Sequence, residues 1–194
     1  LIAAPSANTS GRPSPTEAAH VAEDLSGKIA MIIDGGPVGI GIESTIIDLT
    51  EDTPMVLRPG YITPQMLSKV LGKEVIIDPG IIAADDTRKP KAPGMKYKHY
   101  APKADMAIVD GTRKHVIAKI NELVASHRDD GKKIAVIATE ETKQFYDADV
   151  VLSMGSRADE DSIAHELYRI LRDCDELDVD VIFSESFSTP RIGQ

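Results

Sequence analysis

The sequence predicts an α/β protein built in two parts. A mixed α+β sheet region covers residues 1–85, a linker covers 86–104, and a small doubly wound parallel sheet covers 105–194. Three observations carry this. Short β-rich runs with hairpin-length gaps fill the first part, which favours a mixed or antiparallel sheet with few helices. The apolar periodicity then disappears from 79 to about 104. From 105 onward, near-continuous apolar strands alternate with amphipathic helices, the pattern of a parallel sheet covered on both faces.

Taken in order, LIAAPSANTSGR (1–12) reads as a strand end and a polar loop. SPTEAAHVAEDL then carries a helix start, with Ser14 as N-cap, Pro15 at the first helical position and Glu17 three residues after the cap. Val21, Ala22 and Leu25 give its apolar face and Gly27 ends it. Strands are expected at KIAMIID (28–34), STIIDLT (44–50), MVLR (55–58) and EVIID (74–78), with a short helix, PQMLSKVLG, after Thr63. In the second part DMAIVDG, KKIAVIAT, DVVLSMG and VDVIFSES read as strands. Helices between them stripe Val116, Ile117, Ile120, Leu123 and Val124, and then Ile163, Leu167, Ile170 and Leu171, on single faces. A short helix is expected around EETKQFYDA.

Composition narrows the function classes. The 194 residues carry a net charge of −9, which opposes a molecule that grips nucleic acid over its whole surface but leaves room for a local cationic pocket. No run of about 18 apolar residues is present, so no membrane span is expected. Nothing in the sequence signals secretion, and the single Cys174 cannot form an internal disulfide, so a cytoplasmic setting with a reduced structural thiol is expected. The five histidines are scattered without ligand spacing, and no protein-held metal is expected. There is no GxxxxGK[ST] phosphate loop, because GGPVGIGIES lacks the Lys. The opening LIAAPSAN, without an initiator Met, reads as a strand already under way, as in a piece of a longer protein.

The positive signals are three anion-binding elements. APSANTSGRPSPT (4–16) crowds hydroxyls and an amide before a helix, where free N–H groups and the helix dipole favour phosphate; a plain strand-to-helix loop has the same composition. ESTIID (43–48) sets Ser44 and Thr45 at a strand start, as ladder decoration or as donors to a carboxylate or phosphate. LRPG (57–60) sets Arg58 at a strand end, either solvated or with its rigid fork ready for a phosphate. In the second part, Asp110, Thr139, Glu140, Ser153 and Ser184 lie at strand ends, where such sheets bind ligands.

The order APSANTSGRPSPT, ESTIID, LRPG, PGMKYKHYAP closely resembles the threonylcarbamoyl-AMP synthases of the YrdC/YwlC family, in their long two-domain form. The resemblance implies that residues 1–85 are the C-terminal half of a YrdC-like catalytic domain and that 105–194 form a Rossmann-like domain. It implies a nucleotidyltransferase that makes threonylcarbamoyl-AMP and pyrophosphate from L-threonine, bicarbonate and ATP. The product serves a downstream complex that forms threonylcarbamoyladenosine in tRNA. Carried over by motif, Ser6, Asn8, Ser14 and Arg58 would contact ATP, with Mg²⁺ accompanying the nucleotide, while the backbone near Ala4 and the hydroxyl of Ser44 would face threonine.

In KAPGMKYKHYAPKA (91–104) the same resemblance turns a connector into a cover over the nucleotide. Tyr100 is the favoured contact, Tyr97 the second, and Lys96 and Lys98 bring charge near the phosphates. The sequence departs from the family in one respect. The Lys-x-Arg motif of the family's N-terminal portion is absent, so residues 1–194 alone are expected not to make the adenylate. The alternative is an RNA-binding translation or ribosome-maturation factor of the same fold, with weak RNA contact; salt-dependent tRNA affinity without ATP would mark it. The carbamoyl-transfer module of hydrogenase maturation shares the core, but no Cys-rich zinc segment accompanies it here.

Overall fold

A computed structural model describes residues 4–82 and 101–187. Its contacts group into two compact units, residues 1–41 with 100–194, and residues 42–99.

The unit over 42–99 holds a three-stranded sheet in the order β1 (Ile46–Asp48), β2 (Met55–Arg58), β3 (Ile76–Ile77). β1 runs antiparallel to β2, with a bulge between Ile46 and Ile47, and β3 runs parallel to β2. The sheet is therefore mixed, as expected. The parallel connection is made by α2 (Pro64–Leu71), whose start is fixed by Thr63 accepting from the Met66 N–H and by Pro64 at the first turn. Gly72, at φ 64°, ends it in the left-handed conformation. A single turn, α3 (Pro79–Ile82), follows β3.

The other unit is built on a four-stranded parallel sheet in the order β4 (Asp105–Val109), β7 (Val181–Glu185), β5 (Ile134–Ala138), β6 (Val150–Ser153). β5 and β7 are buried on both faces, which is why their sequences read as unbroken apolar runs. Side chains alternate across the sheet. Ile134, Val136 and Ala138 meet Val116, Ile120 and Val124 of α4 (Arg113–Asp129) on one face. Ala135 and Ile137 meet Ile163, Ile170, Leu171 and Cys174 of α5 (Glu160–Glu176) on the other. Both helical stripes read from the sequence are thus core faces, and the doubly wound arrangement is observed. The short helix near EETKQFYDA is one 3₁₀ turn, Lys143–Phe145.

Two expectations for the N-terminal segment are corrected. The first helix, α1, spans Ala18–Leu25 and its N-cap is Glu17, so Ser14 does not cap it. Two prolines, Pro13 and Pro15, flank Ser14, and proline restricts the residue before it away from helical geometry, which delays the helix start. The buried face of α1 is polar, His20 and Asp24, rather than Val21, Ala22 and Leu25. The second correction concerns 28–34, which forms no strand. Among the described residues no strand pairs with it, and Met31 and Ile33 stand 75% and 87% exposed. A strand needs a ladder partner as well as a β-rich sequence.

Among the described residues no helix is long and apolar enough to cross a membrane. Cys174 is fully buried, and desolvation followed by the nearby Asp173 and Asp175 charges pushes its thiol up to about 12, so it is an inert core group.

Candidate functional site

Residues 42–99 join two of the motifs into one piece of structure. The antiparallel pairing of β1 and β2 sets Arg58 opposite Ile46, beside the start of ESTIID. Its Nε donates to the Ser44 carbonyl at 3.0 Å and its Nη2 to Ser44 Oγ at 3.0 Å, with Glu43 Oε2 3.2 Å away. The Ser44 hydroxyl accepts from arginine and so keeps its own O–H to donate, at an exposed position.

The Pro-Gly after Arg58 has a packing reason. A Cβ on Gly60 would lie 2.4 Å from the Glu43 carbonyl and 2.6 Å from the Thr45 amide, so only glycine lets LRPG seat on ESTIID. Thr45 Oγ1 donates to the Ile62 carbonyl at 2.7 Å and is a structural tie rather than a ligand donor.

The unit over 1–41 and 100–194 carries the polar loop. Ala4 and Ser6 are exposed, Asn8 and Ser14 half-buried. Ser6 Oγ donates to Asn8 Oδ1 at 2.5 Å, and Asn8 Nδ2 donates to the carbonyls of Thr9 (2.9 Å) and Arg12 (3.2 Å). The Asn8 amide therefore spends its donors on closing the loop. Ala7, a non-glycine residue at φ 57°, carries backbone strain that the surrounding bonds must hold. Tyr97, His99 and Tyr100 lie outside the described residues.

Beneath this loop is a buried charge cluster that the sequence did not announce. Asp24 accepts from the Thr9 amide (2.9 Å), from Arg12 Nη1 (2.5 Å) and from Arg172 Nη2 (2.9 Å). Arg172, wholly buried in α5, also donates Nε (3.0 Å) and Nη2 (2.6 Å) to the Pro13 carbonyl and Nη1 to Glu23 Oε2 (3.2 Å). Burial alone would raise the Asp24 carboxyl; the bonds from Arg172 and the Thr9 amide and the two guanidinium charges outweigh it and hold the group at about 2. His20 stays neutral, its basicity lowered first by burial and then by Arg172. The Thr16 amide donates to His20 Nδ1, which leaves the ring proton on Nε2, facing Glu17. Residues 12, 24 and 172 sit far apart in sequence, and no local spacing links them.

The strand-end residues of the second part are mostly spoken for. Thr139, Thr142 and Ser184 are buried and bonded among themselves or to backbone, and Glu140 pairs with Lys143. Glu185, also buried, takes the Tyr146 hydroxyl (2.6 Å) and Arg157 (2.6 Å).

The hydroxyl beside an arginine on a strand locked to a Pro-Gly turn, in one unit, and the hydroxyl-rich loop over a charge cluster, in the other, are carried by a protein of α/β class. The chain belongs to the threonylcarbamoyl-AMP synthase family. The model described as "Threonylcarbamoyl-AMP synthase, C-terminal domain" matches residues 62–194, and one described as "Telomere recombination" matches 1–60. The threonylcarbamoyl-AMP synthases of Bacillus subtilis and Pyrococcus abyssi are 47% and 49% identical to it over 99% of the chain and 54% of their own length. The crystal structure of P. abyssi Sua5 complexed with L-threonine superimposes with a TM-score of 0.84 at 46% identity, over 97% of this chain and 53% of that one. The chain thus spans about half the length of the curated relatives it matches.

Proposed function

We propose that the protein containing this chain condenses L-threonine, bicarbonate and ATP into threonylcarbamoyl-AMP and pyrophosphate. The observation that carries this is the Arg58–Ser44 pair on the Gly60-locked motif, in a chain of this family. The threonine amine takes up CO₂ or bicarbonate, and the resulting carbamate oxygen attacks the α-phosphorus of ATP as pyrophosphate leaves. No covalent protein nucleophile is needed; positioning and fixed positive charge suffice.

On this reading Ser44 donates its O–H to the threonine side. Arg58 supplies charge for the phosphates. Ser6 and Ser14 line the nucleotide side, and Asn8 holds the loop they belong to. Mg²⁺ would enter with the nucleotide phosphates. The product's activated carbamoyl group would be consumed by an acceptor complex that modifies tRNA, and we read the reaction as cytoplasmic.

The test is ATP- and threonine-dependent pyrophosphate release by the full-length protein. Arg58→Ala should lower kcat/KM for ATP by roughly a hundredfold while the protein stays folded, the size expected for losing one fixed charge at a phosphate. A folded Arg58→Ala protein with unchanged ATP use would refute the assignment.

A further inference from the structure

The acceptors of Arg172 all lie on the far end of the chain from the helix that carries it. A guanidinium has five N–H groups, and each of the five here has an acceptor. Nε and one Nη2 proton go to the Pro13 carbonyl, the other Nη2 proton to Asp24 Oδ2, and the Nη1 protons to Glu23 Oε2 and, at 3.4 Å, Asp24 Oδ1. A fully buried arginine so saturated is fixed in place. Its two main partners bracket the polar loop. Pro13 directly precedes Ser14, and Asp24 grips the Thr9 amide at the loop's other end. The strained Ala7 and the Ser6–Asn8 bond lie just before that grip.

We propose that Arg172 is a positioning residue for nucleotide binding: from the parallel-sheet domain it sets the conformation of the Thr9–Ser14 loop through Pro13 and Asp24. This gives α5 a part in the synthase without contact with substrate, and it rests on the nucleotide reading of that loop. A shift of the guanidinium moves both ends of the loop together, and misplacement of a binding group by about an ångström is costly.

The experiment is steady-state kinetics of the full-length protein with Arg172→Lys, which keeps the charge but offers three donors from one point instead of a five-donor fork. The KM for ATP should rise roughly tenfold or more, with the KM for L-threonine and kcat each within about threefold of wild type. A role in folding alone would lower the active fraction, and hence kcat, and leave both KM values where they were. Glu23→Gln keeps one oxygen as an acceptor but removes the charge that faces both Arg172 Nη1 and Arg12 Nη2, and it leaves the Pro13 and Asp24 contacts of Arg172 in place. It should raise the KM for ATP by about twofold to fivefold, and it decides the matter if the lysine variant does not fold. An unchanged KM for ATP in Glu23→Gln, or in folded Arg172→Lys, would overturn the proposal. A wild-type protein that releases no pyrophosphate from the three substrates would instead sink the functional reading beneath it.

Discussion

At the scale of single residues, Asp24 carries the most consequence. Its carboxyl is bound by two arginines and a backbone amide, and its folded-state value of about 2 lies below its usual 3.8. A depressed acid stabilises the fold above its unfolded value and loses that contribution as pH falls through the folded one. The contribution is on the order of 2 kcal/mol at neutral pH and fades between about pH 4 and pH 2. Asp24→Asn should therefore lower the urea unfolding free energy at pH 7, by about 3–5 kcal/mol, since it strands buried arginines. The gap between mutant and wild type should narrow as pH approaches 2. A gap that stays constant from pH 7 to 2.5 would contradict this account. None of it is legible in VAEDL, where Asp24 looks like an ordinary solvated helix acid. Its partners lie 12 and 148 residues away, and burial of a charge is decided by such remote partners. Arg58 and Ser44 were legible because a strand and a tight turn bring them together within 14 residues.

At the scale of elements, the amphipathic helices and buried strands of the second part follow directly from period and length, because each packs a wide apolar face. The misread elements are those whose form depends on a partner. KIAMIID has strand composition without a ladder, and Ser14 lacks a helix to cap because of its prolines. Two glycines show the same dependence. The Gly41 N–H donates to the Ala164 carbonyl and its carbonyl accepts from the Tyr168 N–H, the two groups that an α-helix pairs with each other. A Cβ there would sit 2.0 Å from the His165 carbonyl, whereas one on Gly39 would meet nothing. Gly41→Ala should lower stability by about 1–3 kcal/mol and Gly39→Ala by a few tenths at most, read from denaturant midpoints. Equal midpoints for the two would mean that Gly41 is not seated on α5. Gly60→Ala should cost about as much as Gly41→Ala and should also raise the KM for L-threonine, since Ser44 rides on the displaced backbone.

At the scale of the whole molecule, residues 1–41 group with 100–194 rather than with the residues that directly follow them in sequence. A polypeptide ending at residue 82 lacks Arg172 and the Gly41 seat on α5 altogether. In it, amide exchange over residues 9–24 should be roughly a hundredfold faster or more than in the full-length protein, and limited proteolysis should cut there first. Protection equal to that of the full-length protein would show that the N-terminal segment folds without α5.

The Arg172–Asp24 bond, spanning 148 residues, also bears on how the protein is made. The ribosome releases the N-terminal loop long before it releases the helix that fixes it. Closing so long a loop late is entropically slow, and until then Asp24 and Glu23 have Arg12 but not Arg172 to pair with. The loop's final shape is therefore acquired only once α5 has emerged, so a chain stalled before α5 carries the hydroxyls of the loop without the bonds that set their geometry.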